Sequence, residues 1–245
     1  MKVCWNITSR CNKNCKYCFK FNQKELTLEE NKRILENLTK RDISSIGWSG
    51  GEPFLYPDFK ELLRLSKEKG FINHVNTNAS LLNKNNLKES IENIDRIIIS
   101  LDFIDEEENK KYEIGDNYYN HVSSLLKDIK EVKPTIEIQI NTVLFKGSIK
   151  KLEELYNALK NYNIDYWKLI RFFPVRGKAL EENLSITDEE FFEVVKNFKE
   201  RQDQNFKIVI HGKKEMSERH IIILSSGKLV YSENCKDVEV EETLI

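Results

Sequence analysis

Cys11, Cys15 and Cys18 lie in the run Cys11-Asn12-Lys13-Asn14-Cys15-Lys16-Tyr17-Cys18, a Cys-x3-Cys-x2-Cys spacing. Three thiolates presented by one loop form a soft donor set, suited to iron–sulfur chemistry or zinc rather than to a hard cation. Structural zinc takes four closed ligands, and this loop offers three. The remaining cysteines are Cys4 and Cys235. Cys4 falls inside an apolar stretch and reads as a small buried hydrophobe. Cys235 is a fourth ligand only if the far end of the chain returns to the loop. A [4Fe–4S] cluster usually takes four cysteines. Held by three, it keeps one iron open for a substrate or cofactor. The spacing points first to such a cluster, with zinc and a non-metal role as the alternatives.

Other residues with chemical potential sit at the ends of apolar runs. Ser49-Gly50-Gly51-Glu52-Pro53 pairs two glycines with a carboxylate. The glycines let backbone approach a ligand closely, and Glu52 suits an ammonium group. The bland reading of this stretch is a turn with a solvated glutamate. Asn76, Asn78, Ser100 and Asp102 close two further runs, where each is a turn residue or a ligand contact. Lys168, Arg171, Arg176, Lys178, Lys213 and Lys214 fall late in the chain. They are the residue types that hold a phosphate or carboxylate, and equally the types that decorate any surface. His121 and His211 read as hydrogen-bonded structural residues. Asp105 to Lys111 reads as an exposed helix start.

The elements that would position these groups alternate. Val3–Thr8, Ser44–Trp48, Ile72–Asn76, Arg96–Leu101, Thr135–Leu144 and Tyr166–Phe172 read as strands. Between them, Leu26–Leu38, Asp58–Lys69, Lys84–Glu92, Tyr118–Val132 and Ile149–Asn161 read as helices, and a sixth helix runs to about Arg201. Thr27-x-x-Glu30 and Thr187-x-x-Glu190 are capping boxes, and Gly70 closes a helix. Six β–α units imply parallel strands with right-handed crossovers. The fold class is therefore α/β, a partial (β/α)6 TIM barrel. Its active site is expected at the carboxyl ends of the strands, where the cysteine loop and the polar strand ends all fall. Lys207–Ile210, Ile221–Leu224 and Leu229–Tyr231 predict a small β-rich C-terminal extension covering the site. The expected division is a barrel domain over 1–203 and an extension over 204–245.

The 245 residues carry 39 basic and 40 acidic side chains, a net charge of −1, which argues against a nucleic-acid partner bound through its phosphates. No apolar run reaches the roughly 18 residues of a membrane span. The first twenty residues lack an apolar core of the signal-peptide kind. Five cysteines, three of them clustered, fit a reducing, cytoplasmic compartment better than a secreted disulfide scaffold.

The cysteine triplet with its aromatic Tyr17, followed in order by Ser49–Pro53, Asn76-Thr77-Asn78 and Ser100-Leu101-Asp102, resembles the radical S-adenosylmethionine (SAM) superfamily. The resemblance implies a [4Fe–4S] cluster on Cys11, Cys15 and Cys18. It implies SAM contacts from the Gly50-Gly51-Glu52-Pro53 motif, from Asn76 and Asn78, and from Ser100 and Asp102, with Tyr17 near the adenine. It also implies that SAM's amino and carboxylate groups bind the open iron. Reductive cleavage would then yield a 5′-deoxyadenosyl radical that abstracts hydrogen from the substrate. A flavodoxin or ferredoxin would supply the electron. Cys235 is the one cysteine beyond the triplet, so enzymes with additional C-terminal clusters, such as many peptide maturases and the molybdopterin-precursor cyclase, fit less well. Among single-cluster members the chain is most similar to the viperin type. Those enzymes convert a nucleoside triphosphate to its 3′-deoxy-3′,4′-didehydro form, an antiviral chain terminator. Ser49–Leu55, Asn120-His121-Val122, Ile140–Val143, Tyr166-Trp167-Lys168 and Thr187–Phe191 carry that similarity. Arg171-Phe172-Phe173-Pro174-Val175-Arg176-Gly177-Lys178 departs from it. On this reading Lys168, Arg171, Arg176 and Lys213 are the candidate substrate-binding residues, and no catalytic side chain is assigned.

Overall fold

The computed structural model describes residues 1–201, 205–218, 220–233 and 236–243. The barrel units run β1 (Lys2–Thr8), α1 (Leu28–Thr39), β2 (Ser45–Gly50), α2 (Phe59–Glu68), β3 (Ile72–Thr77), α3 (Leu87–Ile91), β4 (Arg96–Ser100), α4 (Glu106–Lys111), α5 (Tyr118–Val132), β5 (Glu137–Leu144), α6 (Leu152–Leu159), β6 (Tyr166–Arg171) and α7 (Asp188–Lys199). They are followed by β7 (Lys207–His211), α8 (Lys213–Ser217), β8 (His220–Ile223), β9 (Lys228–Glu233) and β10 (Lys236–Thr243). Both capping boxes form. Thr27 and Thr187 each accept from the backbone of the glutamate three residues on, and that glutamate's carboxylate accepts the threonine N–H.

The strands make one sheet in the order β10-β9-β8-β1-β2-β3-β4-β5-β6-β7. Neighbours from β1 to β6 are parallel, as helical crossovers require. The architecture is the expected partial α/β barrel. Side chains alternate across it. On β6, Trp167, Leu169 and Arg171 are buried under the helices, whereas Tyr166, Lys168 and Ile170 are half-buried on the concave side. On β1, Val3, Trp5 and Ile7 pack outward. Trp5 stacks on Trp48 with ring centroids 4.9 Å apart, and Phe59 of α2 meets Trp48 edge-on at 5.7 Å. The apolar core therefore lies between sheet and helices. The concave face is left to Cys4, Asn6, Ser49, His74, Asn76, Ser100 and Asn141.

The chain after residue 204 does more than form a β-rich extension. β7 continues the parallel ladder beside β6, with Tyr166 opposite Lys207. β8 lies parallel to β1 on the other side, with Val3 opposite Ile221. β9 pairs antiparallel with β8, and β10 antiparallel with β9. The physical reason is edge satisfaction: β6 and β1 each expose a row of unpaired backbone groups that a further strand covers. Cys235 lies outside the described residues. Among the described residues no helix is long and apolar enough to cross a membrane.

Candidate active site

The loop leaving β1 carries the three cysteines across the rim of the barrel, and its conformation is fixed by its neighbours. Lys16 N–H donates to the Tyr112 carbonyl at 3.2 Å, and Ser9 Oγ donates to the Gln23 carbonyl at 3.0 Å. Arg10 grips Glu25 with two nitrogens, at 2.9 Å each. Cys11, Cys15 and Cys18 are free and half-buried. Burial pushes the Cys15 thiol up to about 12, and the Asp102 carboxylate and the other two cysteines push the same way. Burial likewise raises Cys11. Three thiols on one loop, not disulfide-bonded, are a donor set that a cationic metal core would satisfy. Among the described residues no three His, Cys, Asp or Glu side chains converge as ligands of one ion.

The Gly-Gly pair is dictated by this loop. Gly51 N–H donates to the Thr8 carbonyl and Glu52 N–H to the Arg10 carbonyl, both at 2.7 Å. A Cβ at Gly50, whose φ is +140°, would stand 2.2 Å from the Thr8 oxygen, and one at Gly51 would stand 2.0 Å from the Arg10 oxygen. The glycines therefore let the end of β2 touch the root of the cysteine loop, whatever else their backbone holds. Glu52 is fully buried. Its carboxylate accepts from Thr77 Oγ1 and Asn78 N–H at 2.7 Å and from Phe54 N–H at 3.3 Å. Burial raises its pKa against these bonds. It ties β3 to the turn that Pro53 opens. This differs from a glutamate reserved for an ammonium group, because its oxygens already serve the protein.

Asp102 shows the same inward commitment. It accepts from the Tyr17 hydroxyl and, at 2.6 Å, from Val143 N–H. Burial holds its pKa up at about 6. The Tyr17 ring packs on Phe145 with centroids 5.0 Å apart. Tyr17 thus anchors the cysteine loop to β4 and β5, the packing role that sequence left open beside a contact with adenine. Asn78 Nδ2 faces Cys11 Sγ at 3.7 Å and donates to Asn12 Oδ1 at 3.0 Å. Asn76 Nδ2 donates to the Trp48 carbonyl at 3.1 Å. The Ser100 side chain is exposed at the rim.

The four basic candidates separate. Lys168 lies on the concave face with no hydrogen bond or ion pair among the described residues. Burial lowers its pKa, and nearby Lys2 and Arg96 lower it further against Cys4 and Glu215. Arg171 points the other way, because strand alternation puts it with Trp167 and Leu169. It is 9% exposed, pairs with Asp188 and donates to the Ile186 carbonyl at 3.1 Å, fixing the start of α7. Arg176 lies 3.8 Å over the Phe21 ring and donates to the Phe19 carbonyl at 2.8 Å. Lys213 is exposed on α8. Of the four, the structure brings Lys168 alone into the barrel. Sequence reasoning passed over Tyr118, whose hydroxyl donates to the carbonyls of Asn78 and Ser100 and so ties two rim segments together. A helix-starting tyrosine carries no local signal of that role.

A curled parallel sheet with a three-cysteine loop at its carboxyl rim defines a class of iron–sulfur barrel enzymes. The Radical SAM superfamily model matches residues 5–169, and the chain belongs to that superfamily. It is a radical SAM enzyme, and the family implies a [4Fe–4S] cluster and SAM. The chain is similar to an S-adenosylmethionine-dependent nucleotide dehydratase of Flammeovirga pacifica, 27% identical across 95% of this chain and 82% of that protein. One from Selenomonas ruminantium is 32% identical across 69% of this chain and 65% of that protein. In fold it matches SuiB of Streptococcus suis, crystallised with S-adenosylmethionine, at a TM-score of 0.76 and 19% identity, over 93% of this chain and 59% of SuiB.

Proposed function

We propose that the chain is a nucleotide dehydratase of the viperin type, converting a nucleoside triphosphate to its 3′-deoxy-3′,4′-didehydro form. The observation that carries this reading is Lys168, a half-buried ammonium inside the barrel with no hydrogen bond or ion pair among the described residues, and with Lys2, Arg96 and Glu215 nearby. A protein buries an unpaired cation at a cost, and a polyanionic ligand offsets it. The similarity to nucleotide dehydratases agrees with that chemistry. Cys11, Cys15 and Cys18 would hold the cluster. The rim groups Asn76 and Ser100, with the backbone around Gly50-Gly51, would hold SAM. When bound, the pair would pass on the donor's electron and supply the carbon radical for hydrogen abstraction. The chain's own residues fix the loop, orient the ligands and present a cation to the phosphates. A flavodoxin or ferredoxin supplies the electron in a reducing, cytosolic setting, and the product would serve in antiviral defence. The part of the C-terminal extension that covers the rim is the turn after β8, a role supported by Leu26 N–H donating to the Ser225 carbonyl at 3.1 Å.

The test is anaerobic reconstitution with iron and sulfide, reduction with SAM, and a panel of nucleoside triphosphates deuterated at the sugar. Deuterium appearing in 5′-deoxyadenosine with one of them supports the reading. Uncoupled SAM cleavage that no nucleotide enhances refutes it.

A further inference from the structure

The segment that departs from the viperin pattern, residues 171–178, lies against the cysteine loop. Arg176 stacks its guanidinium on Phe21 at 3.8 Å and reaches the Phe19 ring at 5.5 Å. Its Nε donates to the Phe19 carbonyl at 2.8 Å. Beside it, Gly177 takes φ +62°, and a Cβ there would stand 3.1 Å from the Cys18 carbonyl oxygen. Ala179 N–H donates to that same oxygen at 3.3 Å. Lys178 Nζ donates to the Asn14 carbonyl at 3.3 Å. Four consecutive residues after β6 thus meet the backbone or rings of residues 14–21, on both sides of Cys18.

We propose that this segment is a latch holding the cysteine loop in the metal-binding arrangement, with Arg176 as its positioning residue. The proposal rests on the reading of Cys18 as a cluster ligand. β1 and β6 are separated in the sheet by four strands, so no backbone ladder joins the end of β6 to the loop. Tyr17 and Asp102 tether the loop toward β4 and β5, and the latch tethers it from the β6 side. Arginine suits this place because one planar group can stack on an aromatic face while its edge donates to a carbonyl. Lysine keeps the charge and loses that geometry. Gly177 permits the left-handed turn and the close approach to Cys18.

The test needs no cluster in its first arm. In the metal-free 245-residue chain, maleimide labelling followed residue by residue reads the exposure of each thiol. Arg176→Ala is expected to speed labelling of Cys18 about 5- to 30-fold, the opening produced by losing a stacked, partly desolvated cation. Cys4, inside β1, is expected to label at its original rate. Arg176→Lys is expected to behave like Arg176→Ala. In the second arm, the reconstituted Arg176→Ala protein is expected to release iron to a chelator faster by a similar factor, with an unchanged melting temperature. A Cys18 rate equal to that of the unsubstituted chain, parallel acceleration of Cys4, or full rescue by lysine overturns the latch. A chain that takes up no cluster at all, yet shows the labelling difference, refutes the cofactor reading and with it the latch's role in metal binding, leaving only the tether of residues 176–179 to the loop.

Discussion

Replacing Lys168 with methionine separates a ligand-binding cation from a structural one. The side chain is half-buried on the concave face of β6, and it has no ion pair among the described residues. Burial, then the charge of Lys2, disfavours its ammonium form, so the free protein bears a cost for keeping it charged. Methionine has comparable length and no charge, so Lys168→Met is expected to leave the melting temperature unchanged or raise it. A charge-assisted hydrogen bond to a phosphate contributes roughly 1.5–3 kcal/mol, so affinity for the nucleoside triphosphate should fall about 10- to 150-fold. The assay is calorimetric titration of SAM-loaded protein with the activating triphosphate, and in parallel with its unphosphorylated nucleoside. Only the triphosphate should weaken. Unchanged triphosphate affinity, an equal loss for the nucleoside, or a lowered melting temperature would refute the argument that this lysine awaits a polyanion.

Gly51→Ala sets a methyl carbon 2.0 Å from the Arg10 carbonyl oxygen. Overpacking costs roughly 1–3 kcal/mol, so melting should fall by about 2–12 °C and iron uptake should drop, both measurable on reconstituted protein. Glu52→Gln replaces one acceptor oxygen with a donor facing Thr77, Asn78 or Phe54. A loss of about 1–3 kcal/mol is expected from the urea midpoint. His74 and His211 are both pushed down to about 4, first by burial and then by nearby cations. Between about 4 and 6.5 the unfolded chain binds protons that the native histidines refuse. Their contribution is therefore complete above pH 6.5 and is lost as pH falls toward 4. Asp102, raised to about 6, works in the opposite sense as pH falls from 6 towards its ordinary value. His211→Asn should flatten the histidine part of the slope by at most one proton, read from denaturation midpoints across that window.

Much of the site was legible because it is local. A three-cysteine loop lies within eight residues, and capping boxes and strand alternation repeat over short spans. Their chemistry follows from residue type and spacing, so the thiols, the β–α alternation and the polar strand ends could be named in advance. The roles of single polar groups were less legible. Glu52 and Asp102 carry charge suited to a ligand, yet each sits where two or three backbone or hydroxyl donors of the protein converge. Arg171 and Lys168 are three residues apart on one strand, and an odd separation puts them on opposite faces.

Sequence by itself determined the donor set, the parallel α/β class and the rim at which the loop emerges. All three depend on residue identity and on periods of two to four residues. Only the tertiary structure decided which cation enters the barrel, and which strands cover β1 and β6. It alone decided that residues 176–179 reach back to Cys18. Those outcomes depend on which elements meet after crossing the sheet, and contact between residues some 160 positions apart leaves no mark in local spacing.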